Sequence, residues 1–185
     1  MYTRYRADII YPLRLTFVIW LVFTFQFYSH IDLGFLGIFP RKLEGLIGII
    51  TGPLVHGNTQ HILSNTLPLL FLGITVFVFY SRIALWVFAN CYILTGILVW
   101  FFGRPFYHIG ASGLIYGLAF FLISFGLFRK DFRSLAISIV VVILYGGLVY
   151  GMLPTVSNIS WESHAFGAFV GIGLAFMYRN TRKLD

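Results

Sequence analysis

Six long apolar segments follow one another along this chain of 185 residues, separated by short stretches that carry charges and turn formers. A helix of about 20 apolar residues is long enough to cross the hydrocarbon core of a bilayer. We therefore predict an all-α membrane protein, a single domain over residues 1–185 with six transmembrane helices. The predicted spans are residues 10–28, 61–80, 83–102, 112–128, 134–150 and 163–178.

The composition excludes an ordinary soluble domain. Hydrophobic residues make up 59% of the chain, charged residues only 10%, and the mean hydropathy is +0.88. The single cysteine, Cys91, lies in an apolar stretch and excludes an intrachain disulfide, so we expect it to be a small core residue. The first apolar segment has no small-residue cleavage site behind it, which predicts a retained helix and not a signal peptide.

Basic residues predict the orientation in the membrane. Ten of them fall on one side of the six spans: Arg4, Arg6, Arg14, Arg82, Arg129, Lys130, Arg133, Arg179, Arg182 and Lys183. The other side has three, Arg41, Lys42 and Arg104. By the positive-inside rule both termini are cytoplasmic, and the short basic termini and compact form suggest a prokaryotic inner membrane. The net charge of +7 is concentrated at span ends, where it faces the lipid bilayer, so we expect no nucleic-acid partner.

The connection between the first two spans, about residues 29–60, is rich in large apolar residues and glycine. A solvated loop would not carry so many apolar side chains. We expect short helical pieces that lie half-immersed in the outer leaflet. The alternative is that Leu43 to Leu54 enters the membrane as a re-entrant segment.

Several polar residues are predicted to lie at one depth. The second, fourth and sixth spans run inward from the outer surface, and each has polar residues near its outer end. These residues are His61, Asn65, Ser112 and His164. Because polar groups are costly in hydrocarbon, they face the interior of a bundle, so we expect these four to converge a few residues below the surface.

The spacing within these spans favours a catalytic pair. His61 shares a helix face with Asn65, as Ser112 does with Tyr116. Five small residues are expected to serve helix packing: Gly110, Gly113, Gly117, Gly167 and Gly171. Close approach of the fourth and sixth helices would allow His164 to act as the base that activates the Ser112 hydroxyl. No acidic residue lies in a span near His164, and Glu162 is too close in sequence to orient it, so we predict a dyad.

Four patterns occur in order along the chain. Gly110-Ala111-Ser112-Gly113 matches Gly-x-Ser-Gly at the start of the fourth span, and His164, Gly167 and Gly171 match His-x-x-Gly-x-x-x-Gly in the sixth. His61 and Asn65 match His-x-x-x-Asn in the second span, and His56 stands upstream. Together these patterns resemble the rhomboid family of intramembrane serine proteases over nearly the whole chain. Two features depart from the family: Ser163 replaces a small apolar residue, and the first loop has no clear Trp-Arg pair.

The resemblance implies roles for these residues. Ser112 would be the nucleophile, His164 the general base, and Tyr116 would pack on the imidazole. His61 and Asn65, with the backbone N–H of Ser112, would form an oxyanion hole. Ala111 and His56 are counted among the supporting residues. The implied activity is cleavage of single-span membrane proteins near the outer face, without a cofactor. We expect no metal site, because His56 and His61 lack a third ligand at zinc spacing.

Other interpretations remain open. Taken alone, Gly-x-Ser-Gly is more often a packing face than a catalytic motif in membrane helices. A catalytically silent rhomboid-like protein would bind membrane helices without cutting them, and a small transporter is a further alternative. We expect His30 and His108, near outer span ends, to be interfacial residues.

Overall fold

Six long helices form the fold of the part of the chain that the structure describes. The computed structural model describes residues 9–154 and 160–181, and these residues contain no β-strand. The long helices are α1 Ile10–Ser29, α2 Thr59–Phe79, α3 Ser81–Phe102, α4 Ser112–Arg129, α5 Phe132–Tyr145 and α6 Trp161–Tyr178. Helices α1 to α4, and α5 with its extension to Met152, are long and apolar enough to cross a membrane. The predicted all-α membrane bundle is therefore confirmed.

Short polar side chains begin three of these helices. Asn58 accepts a hydrogen bond from the N–H of His61 at the start of α2, and Asp131 accepts one from Ser134 at the start of α5. At the start of α6, Ser160 accepts from the N–H of its third residue, Ser163. Such caps satisfy N–H groups that have no acceptor within the helix. Helix α5 ends as an α-helix at Tyr145 and continues as a 3-10 helix over Gly146–Met152, where we predicted a regular span to residue 150.

Helix α4 is the centre of the bundle and packs against α2, α3, α5 and α6. The backbones of α4 and α6 touch each other directly, because both helices have glycines where they meet. A Cβ placed on Gly167 would collide with the backbone of Gly113, and a Cβ on Gly171 would collide with the backbone of Gly117. This glycine seam, defined by these four residues, brings the two helices closer than any larger residue would allow.

The connection from α1 to α2 folds into short helical turns, as the sequence predicts. They are Gly34–Leu36, Leu43–Leu46, Gly48–Thr51 and Gly52–Leu54. Tyr92 of α3 donates its hydroxyl to the carbonyl of Ile50 at 2.5 Å, and Arg41 donates to the carbonyl of Gly103 just beyond the end of α3. The connection is therefore fixed against α3. Its depth in the membrane stays a prediction.

Candidate active site

Ser112 and His164 meet at one end of the bundle. Ser112 is the first residue of α4, and His164 lies in the first turn of α6. The distance from Ser112 Oγ to His164 Nε2 is 2.8 Å, a normal hydrogen bond. The glycine seam begins next to this pair, at Gly113 and Gly167, so the close packing of α4 and α6 brings the two side chains near each other.

A backbone carbonyl orients the histidine. His164 Nδ1 lies 2.7 Å from the oxygen of Gly151, in the 3-10 helix that follows α5. A carbonyl oxygen can only accept, so Nδ1 carries the proton and donates it. Nε2 is then free to accept a hydrogen bond from the Ser112 hydroxyl. This tautomer is the one that a general base for serine requires.

Tyr116 holds the imidazole ring flat. Its ring stacks on that of His164 with centroids 4.1 Å apart and an interplanar angle of 3°. Tyr116 lies one turn below Ser112 on α4 and is buried. The imidazole is therefore fixed by hydrogen bonds at both nitrogens and by an aromatic ring on one face.

A cavity of about 590 Å³ opens beside the pair and is lined by Ser112, His164 and the first two turns of α2. His61 and Asn65 line it as predicted. One amide N–H of Asn65 donates to the carbonyl of His61 at 2.8 Å. Its amide carries a second N–H. The predicted oxyanion-hole residues are thus brought to the same cavity as the serine.

His56 does not line this cavity but lies behind it. Its side chain is fully buried, and its Nε2 accepts a hydrogen bond from the N–H of Ala111 at 3.4 Å. Gly110 has a φ of 100°, which favours glycine, and a Cβ there would lie 2.6 Å from the ring of His61. We grouped Gly110 with the helix-packing glycines. The structure places it in the loop before α4, where it makes room for His61.

Burial lowers the pKa of His56 to about 4, with a smaller contribution from the neighbouring His61 ring. The unfolded chain takes up this proton near the usual pKa of 6.5, whereas the folded protein does not. The free energy of unfolding is therefore expected to fall as the pH drops from about 6.5 to about 4, by roughly 3 kcal/mol for this group. Thermal unfolding of the detergent-solubilised protein across that pH range measures the effect.

The variant His56→Gln is expected to flatten this pH dependence without removing it, because burial also lowers the pKa of His108. His30→Gln is the control, since that side chain is exposed. If both variants change the pH dependence equally, the assignment to His56 is wrong.

The side chain of His108 faces the protein interior, and its predicted position at the membrane interface stays a prediction. His108 is only 2% exposed and bonds through both ring nitrogens, to the hydroxyl of Ser160 and the carbonyl of Arg104. Ser163, which departs from the family pattern, shares a hydrogen bond of 2.6 Å with Ser160.

The sequence does not predict the orienting role of Gly151, because a carbonyl is present at every residue and leaves no signal in the sequence.

No three His, Cys, Asp or Glu side chains within residues 9–154 and 160–181 come close enough together to bind a metal ion. The free Cys91 is buried, as expected for a core residue.

Comparison with known proteins agrees with these patterns. Residues 43–181 match the family model described as the rhomboid domain. Uncharacterized protein Rv1337 of Mycobacterium tuberculosis is 38% identical over 158 residues, which cover 80% of this chain and 65% of the relative. Uncharacterized protein ML1171 of Mycobacterium leprae is 36% identical over 161 residues, covering 80% and 64%. This chain thus spans less than two thirds of the length of these relatives. The chain belongs to the rhomboid family.

Proposed function

We propose that this protein is an intramembrane serine endopeptidase that cleaves membrane-spanning segments of other proteins. The observation that carries the proposal is the hydrogen bond between Ser112 Oγ and His164 Nε2, with Gly151 fixing the histidine tautomer. Membership of the rhomboid family supports the same activity.

In the proposed reaction, Ser112 Oγ attacks the carbonyl carbon of a peptide bond while its proton passes to His164 Nε2. The carbonyl oxygen becomes an oxyanion, for which the Ser112 N–H, a ring N–H of His61 and the second amide N–H of Asn65 are the available donors. The imidazolium then gives its proton to the leaving amine, and the C–N bond breaks. Water attacks the acyl-enzyme by the reverse route and releases the new carboxyl end.

A positive charge forms on His164 in this reaction, and no carboxylate among residues 9–154 and 160–181 forms an ion pair with it. Two groups take that place: the carbonyl of Gly151, which accepts from Nδ1, and the face of the Tyr116 ring, which lies against the imidazole. An aromatic face attracts a cation by its quadrupole, by about 0.5–2 kcal/mol.

The substrate helix must unwind before it can be cut. An intact helix hides its carbonyl groups in hydrogen bonds to the residue four positions ahead. Unwound backbone is tolerated at membrane depth only where protein or water satisfies it. The polar wall formed by the start of α2, with Asn58 and Gln60, supports such a site. Spans that contain Gly or Pro are therefore the preferred substrates.

Cleavage of a panel of single-span membrane proteins by the purified protein in detergent and in liposomes tests the proposal. Wild type is expected to cut spans with Gly or Pro faster than a uniform Leu span, and Ser112→Ala is expected to cut none. Ser124→Ala is the matched control, because it makes the same change on the same helix, remote from His164.

Equal cleavage by wild type and Ser112→Ala would contradict the proposed serine mechanism. Binding of the spans without cleavage by wild type would instead favour a catalytically silent helix-binding protein. Equal rates on Leu-rich and Gly-containing spans would contradict the need for unwinding.

We further propose that the Ser112 end of the bundle faces outward and that both termini are cytoplasmic, in a prokaryotic inner membrane. Support comes from basic residues at the other end, where Arg129 and Lys130 end α4 and Arg179 follows α6.

A further inference from the structure

The first turn of α6 carries a buried carboxylate that the proposed reaction does not use. Glu162 is only 2% exposed. The guanidinium of Arg104 forms a bidentate ion pair with it: Nε donates to Oε1, and Nη2 donates to Oε2 at 3.1 Å. The backbone N–H of Arg104 also donates to Oε1, at 3.2 Å. Forked pairs of this kind fix geometry as well as charge, and a buried carboxylate is tolerated only when it is paired.

A second contact joins the first turn of α6 to the loop that contains Arg104. His108 belongs, like Arg104, to the loop that leads from α3 to Ser112, and its Nδ1 lies 2.5 Å from the hydroxyl of Ser160, the cap of α6. Its Nε2 donates to the carbonyl of Arg104 at 3.0 Å, so the Ser160 hydroxyl donates to Nδ1. Burial lowers the pKa of His108, so the neutral ring that this pattern needs is present at neutral pH.

Glu162 and His164 lie on opposite faces of α6. Two residues along an α-helix correspond to a rotation of about 200°. His164 faces Ser112, whereas Glu162 faces the loop that contains Arg104. The hydrogen bonds of Glu162, on the face of α6 away from Ser112, therefore resist rotation of this turn. Side-chain atoms lie about 5–6 Å from a helix axis, so a rotation of about 10° moves them by about 1 Å.

The glycine seam does not by itself fix this turn. It holds α4 and α6 together from Gly113 and Gly167 downward, and His164 lies above Gly167 in the first turn. Above the seam, the contacts of Arg104 and His108 link α6 to the loop that precedes Ser112. The pair of Ser112 and His164 lies between these two attachments.

We propose that Arg104 and Glu162 are positioning residues, whose ion pair sets the rotation of the first turn of α6 and keeps His164 Nε2 within hydrogen-bonding reach of Ser112. This inference rests on the proposed function and assigns a part to two residues that lie outside the dyad. A displacement of about 1 Å at a reacting group costs on the order of 100-fold in rate.

Steady-state cleavage by the full chain in detergent tests the inference. Glu162→Gln is expected to lower kcat by about 30–100-fold with KM within about twofold, because neither Glu162 nor Arg104 lines the cavity that receives the substrate. Arg104→Lys keeps the charge but not the fork, so a smaller loss of about tenfold is expected. A loss confined to KM, or no loss of kcat in Glu162→Gln, would overturn the inference while leaving the proposed protease intact.

Asp131→Asn is the matched control. It removes another ion pair, Arg129 Nε to Asp131 Oδ2 at 2.8 Å, at the far end of α4, while the amide oxygen of Asn can still cap α5. This variant is expected to lower the melting temperature without lowering kcat. If it lowers kcat as much as Glu162→Gln does, the effect is general destabilisation and positioning is disproved.

A second measurement does not depend on proteolysis. In ¹⁵N-histidine NMR of the protein in micelles, with His164→Ala used to assign the signal, wild-type Nε2 should show an accepted hydrogen bond from Ser112. In Glu162→Gln that signal is expected to move toward the value of a free imidazole. An unchanged signal would overturn the inference. If wild type cuts no substrate, the proposed function fails, and the NMR result alone decides whether the ion pair positions His164.

Discussion

Ser112→Ala and His164→Ala are each expected to lower kcat/KM by at least about 10⁴-fold, and the double variant is expected to lose little more. In the proposed reaction the two side chains act as one unit, because the Ser112 hydroxyl is a poor nucleophile without a base and His164 has nothing else to activate. Losses from residues that act as a unit are far from additive. Cleavage of one single-span substrate by all three variants, under identical conditions, measures the effect.

Additive losses in the double variant would mean that the two residues contribute independently, which contradicts a dyad. Folding is checked by the melting temperature, since both alanine variants keep the glycine seam and should unfold close to wild type.

Gly167→Ala is expected to destabilise the protein by about 3 kcal/mol and to lower activity as well. The added methyl group collides with the backbone of Gly113, and backbone cannot turn away as a side chain can. Helices α4 and α6 must separate, which also moves His164 from Ser112. For a chain of this size the melting temperature should fall by about 6–12 °C. Thermal unfolding and cleavage rate, measured on the same preparation, report the two effects.

Gly173→Ala supplies the control on the same helix. A Cβ at Gly173 has nothing within 4 Å, so this substitution should be neutral or stabilising by up to about 1 kcal/mol, through helix propensity alone. Equal melting temperatures for the two variants would contradict the role of the glycine seam.

Hydropathy predicts the first residue of each long helix to within two positions. Helices α2, α3, α5 and α6 each begin two residues before the predicted span. For α2, α5 and α6 the reason is the polar capping residue. A helix begins directly after this residue, whereas a span predicted from hydropathy begins later, where apolar residues dominate.

The candidate site was predictable where it consists of side chains at helical spacing. Ser112, His164 and Tyr116 meet as expected because charge and hydropathy place the starts of their helices at one end. The carbonyl of Gly151 was not predictable, since its position depends on the change from α to 3-10 geometry after Tyr145. Nor was the contact of Arg104 with Glu162, because Arg104 lies in the loop after α3, where neither hydropathy nor helical spacing indicates a partner.

The carbonyl that orients His164 belongs to the main chain, and this has a consequence for how the site tolerates substitution. A carboxylate in that place would be lost with a single codon change and would titrate in acid. A peptide oxygen does neither. Removing side chains across 146–154 should therefore leave the orienting carbonyl in place, whereas inserting or deleting one residue there should abolish activity. Gly151 is the exception, because a Cβ there would collide with the Tyr116 hydroxyl and lie 3.2 Å from His164 Nδ1. In that segment the proposed activity depends on the course of the backbone, which presents a peptide oxygen to His164, and on the absence of a side chain at Gly151.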